Sequence, residues 1–159
     1  MGDLESFQLL SSLNFPWDIH IFYYAIEHEH TNIIQWFISR EIPESWKEKA
    51  CLVASQSDSL VALIFIRTQD EPFPWDENVS HAALNCCNID MLVWMREQDD
   101  PCPFDEELFI IAIRNNDLDV LHWLRSEGCP WSERVFVAAA KNTKHQEGDN
   151  THLICMRGF

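Results

Sequence analysis

One short motif recurs along the chain at a nearly fixed interval. It reads Phe15-Pro16-Trp17-Asp18, Phe73-Pro74-Trp75-Asp76-Glu77, Cys102-Pro103-Phe104-Asp105-Glu106 and Cys129-Pro130-Trp131-Ser132-Glu133, with a degraded copy at Glu44-Ser45-Trp46-Lys47-Glu48. The ring at its centre falls at Trp17, Trp46, Trp75, Phe104 and Trp131, separated by 29, 29, 29 and 27 residues. A second ring column, Trp36, Phe65, Trp94 and Trp123, keeps the 29-residue step, and so does an alanine column, Ala25, Ala54, Ala83, Ala112 and Ala139, with a final step of 27. Several ladders on one period define a repeat array, in which each unit is a supersecondary element that buries its apolar face on its neighbours.

Within each unit the residue after the motif ring suits a helix N-cap: Asp18, Asp76, Asp105 and Ser132 accept hydrogen bonds from orphan N–H groups. Lys47 takes this place in the second unit, which is expected to start raggedly. The ring before the cap is expected to staple onto Phe22, Phe109 or Phe136, four residues beyond it. Three residues after the cap stand Ile21, Ala50, Val79, Leu108 and Val135, and seven after it the alanine column, on one helical face. A short polar turn follows, then a second helix carrying Leu118, Val120, Leu121, Trp123 and Leu124 in the fourth unit, closed by Gly128. The tryptophans of this second column are expected in the core.

These residues resemble ankyrin repeats. Asp117-Leu118-Asp119-Val120-Leu121-His122-Trp123-Leu124 and Glu127-Gly128 are similar to that family's second helix and terminator, and Ala82-Ala83 and Ala138-Ala139 to its alanine pair. The resemblance covers about residues 15–142. The period departs from the family's usual 33, and Pro-Trp-Asp-Glu replaces its usual Thr-Pro-Leu-His opening, so the long hairpin finger is expected to be cut to a tight turn. Leucine-rich repeats would need an asparagine column that the chain lacks; another helical-hairpin solenoid stays open.

The expected fold is therefore all-α, an ankyrin-like solenoid of about five stacked helix–turn–helix repeats. Residues 1–14 form a capping half-repeat, with Leu4, Phe7, Leu9, Leu10 and Leu13 on one face. The array spans 15–142, with units near 15–43, 44–72, 73–101, 102–128 and 129–142, and 143–159 is a degenerate end. The half-unit and the aborted fifth unit also fit a fragment of a longer array.

Twenty-six acidic against eleven basic residues give a net charge of −15, which argues against nucleic acid and anionic membrane as partners. The longest apolar run, Leu60 to Ile66, is too short to span a bilayer, and the start lacks the features of a signal peptide. An intracellular monomer with reduced thiols is expected; Cys102 and Cys129 replace Phe15 and Phe73 as apolar linker residues. Chemistry has little to stand on. There is no glycine-rich phosphate loop, Cys86-Cys87 near His81 lacks a placed base, and Glu27-His28-Glu29-His30 looks like metal ligands but falls at the inter-helix turn, where every unit is polar. No catalytic residue, cofactor or metal ligand is assigned.

What remains is a surface. Projected at 100° per residue, the first helix turns outward its positions one (Glu48, Glu77, Glu106 and Glu133, with Ile19 in the first unit), two (His20, Lys49, Asn78, Glu107 and Arg134), five and nine. Position five should be polar if it only met water. Instead it is Tyr23, Leu52, His81, Ile110 and Val137. The resemblance implies that this column floors the concave groove of the array, so a protein partner with a basic surface is expected there. The competing reading is that column five packs between units. A substrate-receptor or inhibitor subunit of an enzyme complex is the alternative role.

Overall fold

The structure, a computed structural model, describes residues 4–13 and 17–142. These form ten α-helices, with no strand among the described residues. They are α1 (Leu4–Ser12), α2 (Ile19–Glu27), α3 (Thr31–Ile38), α4 (Glu44–Gln56), α5 (Leu60–Arg67), α6 (Glu77–Asn85), α7 (Ile89–Arg96), α8 (Glu107–Asn115), α9 (Leu118–Ser126) and α10 (Glu133–Asn142). Each of α2, α4, α6 and α8 contacts the helix that follows it and also the first helix of the next unit; α1 packs on α3. The first copy of the motif at Phe15-Pro16 and the tail beyond Asn142 lie outside the described residues.

The alanine column is what lets the first helices approach one another. Ala25, Ala54, Ala83, Ala112 and Ala139 are all at most 2% exposed. A larger side chain there would push the helices apart. Around this column lie Phe22, Leu108, Phe109, Met91, Leu92 and Leu121, all fully buried.

The same alanines anchor the turn inside each unit. The backbone N–H groups of His30, Ser59, Asn88 and Asp117 donate to the carbonyls of Ala25, Ala54, Ala83 and Ala112 at 2.8–3.0 Å. The residues before them, Glu29, Asp58, Cys87 and Asn116, have φ of 55–59° and donate to the carbonyls three residues back. This is a Schellman turn, here made with no glycine. In the third and fourth units the residue that closes it also caps the second helix: Asn88 accepts from the N–H of Met91 at 2.8 Å, and Asp117 from that of Val120 at 3.0 Å. A link of two or three residues thus ends one helix and starts the next.

Caps for the first helices follow the sequence in the first, third and fifth units. Asp18, Asp76 and Ser132 accept from N–H groups two residues on, and Asp105 does the same just ahead of α8. The second unit is different: α4 does not start raggedly but begins cleanly at Glu44, after Pro43. In the third to fifth copies a proline precedes the ring (Pro74, Pro103, Pro130) and disfavours helical geometry at the residue before it. Ser45 removes that restriction, so the helix extends upstream and Lys47 lies inside it. Ile42, 5% exposed, supplies the buried linker residue that Glu44 cannot.

The ring contacts also differ from the staple. Only Trp131 meets its intended partner Phe136, at 5.3 Å. Trp17, Trp75 and Phe104 pack edge-on against the second ring column instead, meeting Trp36, Trp94 and Trp123 at 5.8–6.1 Å. Within that column burial is complete only for Trp36; Phe65, Trp94 and Trp123 are half-buried against the core. In α1, Phe7 packs on Trp36 and Phe37, while Leu9 and Leu13 are 60% and 69% exposed, so the apolar face expected of the first segment is only partly covered.

An arginine column, not noticed in the sequence, ties one unit to the next. Arg67, Arg96 and Arg125 lie 29 residues apart, and their guanidinium groups sit over Trp75, Phe104 and Trp131 at 3.8, 5.1 and 5.3 Å. Arg67 also donates to the carbonyl of Phe73 at 2.6 Å and to the carboxylate of Asp100 at 3.1 Å. Arg96 donates to the carbonyl of Glu127 at 3.2 Å. Buried hydroxyls add to this: Ser55 donates to the carbonyl of Val79 and Ser80 to that of Pro103, at 2.7 and 3.0 Å.

The turn geometry yields a prediction. Cys87 is exposed and left-handed, a conformation that costs a side chain about 1–2 kcal/mol. Cys87→Gly is expected to be neutral or stabilising by up to about 1 kcal/mol, the lost strain exceeding the entropic cost of glycine. Cys87→Val is expected to destabilise by about 1–2 kcal/mol, since a β-branched side chain fits this region worst. Urea unfolding of the two variants measures both.

Candidate protein-binding surface

Column five lies where the helical projection puts it, on the side of the first helices opposite the alanine column. Val137 is 45% exposed, and Tyr23, Leu52, His81 and Ile110 are half-buried. Two of these residues also reach the following unit. The Tyr23 hydroxyl donates to the carbonyl of Trp46 at 3.2 Å, and His81 Nε2 lies 2.7 Å from an Asp105 carboxylate oxygen. Burial, and then the nearby Glu48 carboxylate, pushes the Tyr23 phenol above its ordinary value. The column therefore belongs partly to the junctions and partly to the surface.

The charged columns around it are only partly available. Glu48, Glu77 and Glu133 are exposed, as are His20, Lys49, Asn78 and Arg134. Glu106, by contrast, accepts from the Ser132 hydroxyl and pairs with Arg134 across the α8–α10 junction. The Ser132 hydrogen bond first, then Arg134, holds its carboxyl below the usual carboxylate value of 4.5. Glu107 lies 3.9 Å from Arg134 and 4.0 Å from Arg114. Much of the remaining acidity sits away from the first helices, on linkers carrying Glu41, Asp70, Glu71, Asp99 and Asp100, all exposed.

Two concavities open between first helices. One, of about 360 Å³, lies between α4 and α6 and is lined by Leu52, Gln56, Asn78, His81, Ala82, Asn85 and Cys86. The other, of about 440 Å³, lies between α8 and α10 and is lined by Ile110, Glu133, Arg134, Val137, Ala138 and Lys141. They gather seven of the residues singled out in the sequence: Leu52, Asn78 and His81 in one, and Ile110, Glu133, Arg134 and Val137 in the other. Tyr23, His20, Lys49, Glu48, Glu77, Glu106 and Glu107 line neither.

The reactive side chains are placed as follows. Glu29 accepts from the N–H of Val61 at 3.3 Å, and the ring of His28 packs on Tyr24 at 4.2 Å, so that polar turn makes structural contacts. Among the described residues no three His, Cys, Asp or Glu side chains gather as metal ligands. The Cys86 thiol points at the carbonyls of Ser55 and Gln56 and is raised by burial, while the imidazole of His81 engages Asp105. Burial pushes the thiols of Cys51, Cys102 and Cys129 up to about 12. Among the described residues no helix is long and apolar enough to cross a membrane.

The chain matches no family model, no curated protein and no solved structure.

Thiol chemistry reports this packing directly. A thiol raised to about 12 stays protonated, and so poorly nucleophilic, across the neutral range. Alkylation of the native protein at pH 8, read residue by residue in the mass spectrometer, is expected to label the exposed Cys87 first among the described cysteines. Cys51, Cys102 and Cys129 should react only on unfolding. Rapid native labelling of any of these three would contradict the junction packing.

Proposed function

We propose that the chain is a non-catalytic protein-binding module, built as an ankyrin-like array of helical hairpins, that holds a partner protein against its first helices. The observation that carries this reading is column five. Water alone does not call for Tyr, Leu, Ile and Val at an outward position, and each of these residues keeps part of its side chain exposed. An apolar strip rimmed by polar side chains is the composition of a protein interface. The ankyrin-like reading draws its support from the paired helices and the buried alanine column.

The partner is expected to carry Lys or Arg facing Glu48 and Glu77, so that association is steered by charge and slowed by salt. The triple change Leu52→Ser, Ile110→Ser, Val137→Ser tests the reading, since it leaves the Tyr23–Trp46 and His81–Asp105 contacts in place. A partner identified by affinity capture, then purified, should bind the variant at least tenfold more weakly. Helicity should hold, and the melting temperature should move by no more than about 2–4 °C per kcal/mol lost. Undiminished binding to a folded variant would remove the first-helix face as the binding surface.

A further inference from the structure

The two concavities share a small residue at one position. Six residues after each cap stand Tyr24, Val53, Ala82, Ile111 and Ala138. In the third and fifth units this position faces the first helix of the preceding unit. Ala82 and Ala138 sit in the walls of the two concavities. The corresponding place carries Val53 at the α2–α4 junction, and Ile111, 2% exposed, at the α6–α8 junction. The junctions therefore alternate between a larger and a smaller side chain, and a hollow lies at each of the two that carry alanine.

We propose that the two hollows are paired anchor sites for one extended segment of a partner protein, an inference that rests on the protein-binding reading above. The hollow between α8 and α10, floored by Ile110 and Val137, takes an aliphatic side chain. The hollow between α4 and α6, with Leu52 beneath Gln56, Asn78 and Asn85, takes a side chain with an uncharged polar end. Packed helices lie about 8–10 Å apart, so hollows two junctions apart are about 20 Å from each other. At about 3.3 Å per residue, an extended chain spans that distance in about six residues.

Two further features fit an extended occupant with a defined direction. An extended chain brings unpaired backbone N–H and C=O groups, whereas a helix has already satisfied its own. The amides of Gln56 and Asn85, both exposed, stand along the edge of the surface to meet them. Along the same edge, position nine runs Glu27, Gln56, Asn85, Arg114, Lys141, from acidic through neutral to basic, and every one of the five is exposed. The end of the segment near the aliphatic anchor therefore carries an acidic residue, and the opposite end a basic one.

Panning the purified full chain against a display library of random twelve-residue peptides tests this. Enriched sequences are expected to share two anchor positions about six residues apart, one of them aliphatic with an acidic neighbour. Ala138→Ile and Ala82→Val install side chains that the chain already carries at this position in other units, so the fold should hold. Each should weaken a synthetic enriched peptide at least tenfold. If no peptide is enriched, or if both filled variants bind it as tightly as the parent, the paired-anchor inference is overturned. The Leu52, Ile110 and Val137 triple variant separates the two levels. Loss of peptide binding in it alone leaves the first-helix face standing without the anchors, and undiminished binding in all the variants removes both.

Discussion

Each junction from the second unit onward depends on an arginine laid over the aromatic ring that opens the next unit. A guanidinium over a tryptophan face is worth about 0.5–2 kcal/mol, more as it is desolvated. At Arg67 the side chain is 8% exposed, and the same group donates to the Phe73 carbonyl and pairs with Asp100. It thus reads three things at once: the ring of the next unit, the path of the linker into it and the linker that leaves it. The geometry has a cost, because Arg67 Nε and the indole N–H of Trp75 are buried with no hydrogen-bond partner. That N–H loss is accepted where the flat faces of guanidinium and indole meet at 3.8 Å.

With the second helices and linkers held in this way, the first helices meet closely at the alanine column. Alanine at position seven brings the backbones together, and its carbonyl is used to fold the chain back within two or three residues. Side-chain amides then bridge from turn to turn: Asn115 donates to the carbonyl of Leu84 at 3.4 Å and Asn142 to that of Ile113 at 2.7 Å. None of these contacts uses the outer side of the first helix. The face bearing positions one, two, five and nine carries only part of the junction contacts, through Tyr23, His81, Glu106 and Arg134, and Leu52, Ile110 and Val137 keep part of their side chains exposed there.

Much of this was legible in the sequence because a 29-residue period marks equivalent places whatever they do. Ala25 to Ala139 and Asp18, Asp76 and Ser132 fall in their expected roles from spacing and residue chemistry alone. The left-handed turn was not legible: Glu29, Asp58, Cys87 and Asn116 share no chemistry, and only a glycine would have marked the conformation. The arginine column was hidden because its first-unit counterpart is Ile38, where the clamp is absent and Trp46 packs back on Phe22 instead. The start of α4 was misplaced because the ring was given more weight than the proline before it. The hollows hold alanine at a position that carries valine or isoleucine in the second and fourth units, a difference that periodicity records but does not interpret.

A double-mutant cycle between Arg67→Met and Trp75→Leu, followed by urea unfolding, tests most directly the claim that the guanidinium–ring clamp sets the junctions. Both replacements keep much of the apolar volume, so the coupling isolates the stacked pair from simple loss of packing. The two changes together are expected to cost about 1–2 kcal/mol less than the sum of the single changes. Strict additivity would mean that arginine and ring act independently, and the junctions would then be held by the buried first-helix contacts alone.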